Sequence, residues 1–66
     1  MKVVFFDKRS ETYEHVDNVR MIKQETEAIG FSETKFRYVW SLSIKGSPYG
    51  RVYPCNRYMI YTIVES

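Results

Sequence analysis

Lys35-Phe36-Arg37-Tyr38-Val39-Trp40-Ser41-Leu42-Ser43-Ile44-Lys45 alternates in character almost without a break. Phe36, Tyr38, Trp40, Leu42 and Ile44 take every second position, and Arg37, Ser41, Ser43 and Lys45 stand between them, with Val39 the one apolar exception. Side chains of a strand point alternately to two faces, so this is a long strand with one apolar face and one largely wet face. Wound as a helix, the same five residues would be smeared around the circumference.

On the C-terminal side, Gly46-Ser47-Pro48-Tyr49-Gly50 is a turn, with glycines that permit positive φ and a proline that fixes its own. Arg51-Val52-Tyr53 returns as a short strand stopped by Pro54. Tyr58 to Val64 is the last strand, with Tyr58, Ile60, Thr62 and Val64 expected on one face and Met59, Tyr61 and Ile63 on the other.

On the N-terminal side, Val3 to Phe6 is a first strand, apolar on both faces, followed by the polar turn Asp7-Lys8-Arg9-Ser10-Glu11. Thr12 to about Gln24 is rich in β-branched and aromatic residues and predicts a second strand, bent or bulged near Asp17-Asn18. A helix competes there: Asp17 or Asn18 fits an N-cap, Val19, Ile22, Thr26 and Ile29 lie near one helical face, and Gly30 fits a C-cap. The strand is preferred because a helix would leave the long strand with fewer partners. Glu25 to Thr34 is then a loop.

The expected fold is all-β: one domain over residues 1–66, a small, strongly twisted antiparallel sheet of four to five strands, with closure as an SH3-like barrel one form of it. The alternative is α+β with one helix near residues 19–29. Phe5, Phe36, Tyr38, Trp40, Leu42, Ile44, Ile60 and Ile63 are the expected core.

Sixty-six residues make one thin-cored domain, which buries only about 60% of its unfolded surface. Cys55 is the single cysteine and His15 the single histidine, which leaves no internal disulfide, no cysteine-based zinc site and no histidine cluster. Self-association is the remaining way to stabilise so small a chain. The first and last strands are apolar on both faces, more surface than one flat sheet covers. A homodimer is therefore expected, with Met59, Tyr61 or Ile63 at the contact if the other face of the last strand is internal. The four-residue run Val3-Val4-Phe5-Phe6 is too short for a signal-peptide core or a membrane span, and with one unpaired thiol the expected compartment is the cytoplasm.

The net charge of +2 hides an asymmetry. Residues 1–33 carry five basic against seven acidic side chains, while residues 34–66 carry five basic (Lys35, Arg37, Lys45, Arg51, Arg57) against Glu65 alone. Such a division hints at an anionic partner, although positive charge also protects sheet edges.

Groups for catalysis are few. Cys55 and His15 are a conceivable nucleophile and base, but no third group follows from their spacing. Glu25 and Glu27 fit a solvated loop, and Gly46 and Gly50 are explained by the turn. No enzyme, cofactor, metal or small-molecule substrate is expected. The stronger pattern interleaves bases with aromatics. Tyr38 and Trp40 fall on the face expected to be core, so the exposed candidates for a binding surface are Arg37, Tyr49, Arg51 and Arg57. Small β-barrels can bind single strands by stacking bases on rings while cations track phosphates.

Val19-x-x-Ile22 before a long alternating strand, and the closing Asn56-Arg57-Tyr58-x-Ile60-x-x-Ile63, resemble small β-rich proteins of phages and prophages. The resemblance spans roughly the C-terminal two thirds, and its motifs are structural. It implies a phage or prophage accessory protein that acts by binding. The leading expectation is a non-catalytic protein-interaction module acting on a host protein; the alternative is a nucleic-acid-binding β-barrel using the basic aromatic surface.

Overall fold

The computed structural model describes residues 1–31 and 34–65. Six strands follow one another: β1 (Lys2–Asp7), β2 (Thr12–Val16), β3 (Val19–Ala28), β4 (Phe36–Ile44), β5 (Arg51–Pro54) and β6 (Tyr58–Val64). They form two antiparallel three-stranded sheets, ordered β2-β1-β6 and β3-β4-β5, which do not close into a barrel. The fold is all-β, with no helix among the described residues. Residues 19–28 are strand, so the helical alternative falls. Among the described residues no helix is therefore long and apolar enough to cross a membrane.

The expected single sheet of four or five strands is corrected to six strands in two sheets. The cause is the interruption at Asp17-Asn18. Asn18 takes φ of +59°, a left-handed conformation that asparagine tolerates better than most residues. The chain leaves one sheet with Val16 and enters the other with Val19. Both valines are buried although three positions apart. A register shift between Val19 and Met21 then resets the phase, so that Ile22 lies opposite Leu42 on the core side. Backbone bonds fasten this corner: the Met1 ammonium donates to the Val19 carbonyl at 2.9 Å, and the Val19 N–H donates to the Met1 carbonyl at 2.8 Å. The Lys45 N–H donates to the Asn18 carbonyl at 2.7 Å.

β3 also runs further than expected, pairing with β4 as far as Ala28 opposite Phe36. The expected loop from Glu25 is thus strand over its first four residues; its Ser32 and Glu33 lie outside the described residues.

The core lies between the two sheets. Val3, Phe5 and Val16 from the first meet Val19, Leu42 and Tyr53 from the second, with Met1, Ile22, Trp40, Ile44, Tyr58 and Ile60 packed around them. The Phe5 and Tyr53 rings stack at 4.4 Å between centroids, and Tyr58 makes a T-shaped contact with each, at 6.1 and 5.1 Å. Phe36, Tyr38 and Ile63 are exposed, contrary to expectation. Phe36 and Tyr38 share a face with Leu42 but stand on the stretch of the β3–β4 hairpin that the first sheet does not cover. Val39, on the opposite face, is buried at the middle of its sheet, directly across from Glu25 and Pro54.

In the β4–β5 turn, Gly46 has φ of +81°, where a side chain would be strained. A Cβ on Gly50 would lie 2.8 Å from the Leu42 carbonyl oxygen, so that position requires glycine for space.

Candidate functional site

Two turns at one end of the molecule build a basic cleft. In the β1–β2 turn, Asp7 is buried, and its Oδ1 accepts from the N–H of Arg9 at 3.0 Å and of Ser10 at 3.4 Å. The Asp7 carbonyl accepts from Glu11, which takes φ of +57° to close the turn. An aspartate that satisfies its own following N–H groups folds such a turn locally. Lys8 and Arg9 are carried at its tip.

The β5–β6 turn is closed by the Arg57 N–H donating to the Pro54 carbonyl at 3.1 Å. It is tied back by the Lys8 N–H on the Arg57 carbonyl at 2.8 Å and by Lys8 Nζ on the Cys55 carbonyl at 3.3 Å. Arg57 then reaches Asp7 from fifty positions away. Its Nε donates to Oδ1 at 3.1 Å and to Oδ2 at 3.2 Å, and a terminal nitrogen lies 2.9 Å from Oδ2. The guanidinium carbon also sits 5.2 Å from the Tyr58 ring centre, within cation–π range. The Arg57 guanidinium, helped by the Arg9 and Ser10 N–H groups, holds the Asp7 carboxyl far below the usual carboxylate range despite opposing desolvation. Reciprocally, Asp7 raises the affinity of Arg57 for its proton.

Arg37 completes the cleft from the outer face of β4, fixed by Glu27 Oε1 at 2.7 Å. Lys8, Arg9, Arg37, Pro54, Asn56 and Arg57 line a space of about 470 Å³. Four cations and no carboxylate face it; Asp7 and Glu27 meet the guanidiniums without lining the space. The arrangement can hold an anion.

A second groove of about 510 Å³ lies beside it, sharing Pro54 and Arg57 and adding Glu14, Arg51, Val52, Tyr53 and Tyr58. There the Tyr53 hydroxyl donates to Glu14 Oε1 at 3.5 Å, and burial pushes the phenol up.

Of the residues singled out from sequence, Arg37 and Arg57 meet in the cleft, while Arg51 joins Arg57 in the neighbouring groove. Tyr49 stands apart on the β4–β5 turn, 80% exposed and lining neither space. Sequence reasoning missed Lys8, Arg9 and Asn56. The signal for the first two was present: Asp-Lys-Arg-Ser is an aspartate-led turn that displays two adjacent cations.

Met59 and Tyr61 are exposed on the outer face of the first sheet, but Ile63 lies opposite Val3, on the core side. A register shift between Val4 and Phe5 places Tyr61 in a bulge and moves Thr62 and Val64 to the face of Met59. On that outer face Tyr13 packs between Phe6, at 5.2 Å, and Tyr61, at 4.8 Å.

Cys55 meets Gln24 Nε2 at 3.8 Å and the backbone of β4, whereas His15 stands opposite Val4 on the other sheet. Among the described residues no group of three or more His, Cys, Asp or Glu side chains is placed to hold a metal ion. Comparison with protein-family models, with curated proteins and with solved structures finds no match to this chain.

Proposed function

We propose that this chain is a non-catalytic interaction module, a phage or prophage accessory protein that acts by holding a host protein in the cytoplasm. The cationic cleft carries the reading, because Lys8, Arg9, Arg37 and Arg57 arrive from three separate segments and face one concave space. Guanidiniums already fixed by Asp7 and Glu27 lose little freedom on meeting a further carboxylate, which suits an acidic protein segment. No aromatic ring lines the cleft, so a nucleic-acid base has nothing to stack on there.

The fold is read in the same proposal as an open SH3-like barrel. Taking β2 and β3 as one strand bent at Asp17-Asn18 leaves five strands in the order β6-β1-β2/β3-β4-β5, which supports that reading.

Nucleic acid is the second reading, favoured by one observation. Phe36 and Tyr38 are 58% and 62% exposed on one face of a hairpin whose other face bears Arg37. Recovery from a bacterial lysate over the immobilised chain separates the two. A single protein that survives nuclease, and is lost when Lys8→Glu and Arg9→Glu are combined, supports the module. Nucleic acid alone, released by nuclease or by high salt, overturns it, since phosphate neutralisation weakens steeply with salt.

A further inference from the structure

β3 is the longest of the described strands, ten residues, and it lies at the edge of its sheet. Beyond Val19, which bonds to Met1, its side away from β4 has no strand partner among the described residues. A long unpaired edge is a template for another strand, and proteins usually blunt one with charges, lysines above all, prolines or bulges. β3 has its one irregularity at its start, and its charges, Arg20, Lys23, Glu25 and Glu27, are of both signs, so a second copy can meet charge with opposite charge where a strand of one sign would repel itself.

We propose that β3 pairs antiparallel with β3 of a second copy, about a two-fold axis at Gln24, joining the two three-stranded sheets into one of six. The order of charges suits a second copy, and the register about Gln24 pairs opposite charges without opposing like ones. With the axis at Gln24, Lys23 faces Glu25 of the copy and Glu25 faces its Lys23. The side chains of Lys23 and Glu25 already touch within the chain at 2.9 Å, so the dimer closes a ring of four alternating charges. Shifting the axis to Lys23 or Glu25 sets that residue against its own copy, and shifting it to Thr26 sets Glu25 against Glu27. Like charges directly opposed destabilise a strand pair, while opposite charges stabilise it. An isologous interface requires this self-complementarity.

The same register supplies what the hairpin lacks. It lays Thr26–Ala28 of one β3 alongside Arg20–Ile22 of the other, beside the end where that copy's core lies. The exposed stretch bearing Phe36 and Tyr38 is thereby carried towards the partner's first sheet. The cations of the basic cleft lie outside β3, and Glu27, which fixes Arg37, is the one seam residue the two share.

Sedimentation equilibrium of the full chain, from low micromolar to millimolar concentration, tests it. The native chain is expected to dimerise. Glu25→Lys alone, or Lys23→Glu alone, converts both symmetric contacts to like-charge pairs and should raise the dimer Kd roughly tenfold to a hundredfold. The exchange Lys23→Glu with Glu25→Lys restores opposite pairs and should restore the dimer. Mixing the two single variants should give a heterodimer tighter than either homodimer. Both side chains are exposed, so circular dichroism should report an unchanged fold in every variant. A native chain that stays monomeric overturns the proposal. So does a dimer indifferent to the single substitutions, which would place the contact elsewhere, for example on the face of Met59 and Tyr61.

Discussion

Leu42 and Tyr38 stand on the same face of β4, four positions apart, yet Leu42 is 1% exposed and Tyr38 is 62% exposed. The difference comes from the opposing layer. β1 has six residues and spans roughly 20 Å, whereas β3 has ten and spans roughly 33 Å, so the first sheet cannot cover the whole apolar face of the second. The covered half gathers Val19, Ile22, Leu42 and Ile44 against Val3 and Phe5; the uncovered half presents Ala28, Phe36 and Tyr38. Equal hydrophobicity therefore has unequal energetic weight in the two halves.

Truncation in the covered half should cost most. Phe5→Ala is expected to lose roughly 3–5 kcal/mol and Leu42→Ala roughly 2–5 kcal/mol, through lost transfer energy and the cavities left behind. Either is enough to leave so small a domain largely unfolded, and urea titration followed by circular dichroism measures it. A cooperative transition at unchanged urea midpoint in Leu42→Ala would break the division between the halves.

Backbone positions divide the same way. Gly50→Ala drives a Cβ to within 2.8 Å of the Leu42 carbonyl, which is held in the covered half, and should cost about 1–3 kcal/mol. Gly30→Ala, at the far end of the hairpin, meets nothing within 4 Å and carries only the strain of its φ of +59°, about 1–2 kcal/mol. Melting temperatures of the two variants should fall in that order.

Acid sharpens the comparison between a buried carboxyl and one on the hairpin surface. Both Asp7 and Glu25 are held below their ordinary values, Asp7 mainly by Arg57 and Glu25 mainly by Lys23. A carboxyl lowered on folding contributes stability that is complete above its unfolded pKa, near 4, and is lost as pH falls towards the folded value. The Asp7 shift is much the larger, so stability should decline steadily from about pH 5 downward, and Arg57→Gln should flatten that decline more than Lys23→Gln. Equal pH profiles for the two variants would remove the special standing of Asp7.

The sequence carried the period of each strand but not the length of what lies above it. Phe36, Tyr38, Trp40, Leu42 and Ile44 alternate faithfully, and all five do share a face. Alternation reports a face, and only the opposing layer decides burial. The corner was harder to place. Val16, Val19 and Ile22 recur every third position, a spacing that imitates a helix, because a left-handed Asn18 and a register shift after Val19 each offset the two-residue period by one. In β6 a similar shift split Ile63 from Met59. The cleft was half legible: Arg37 and Arg57 stood out among the basic residues of the C-terminal half. Lys8 and Arg9 belong to a half that is acidic in sum, and contacts some fifty positions apart, Arg57 on Asp7 and Lys8 on the Arg57 and Cys55 carbonyls, bring the two turns together.

The smallest expected effect lies at the uncovered end. Tyr38→Ser removes a large ring that contributes little buried area, so its change in stability should stay within about 0.5 kcal/mol. Phe36→Ser should behave alike, because neither ring belongs to the packed core. Urea midpoints of the two variants and their combination measure this against Leu42→Ala. Near-neutrality would leave both rings free for a contact outside the single chain. A loss of several kcal/mol from Tyr38→Ser, in the monomer at low concentration, would instead mean that this half of the hairpin is covered within the chain and that the two ends of β4 do not differ.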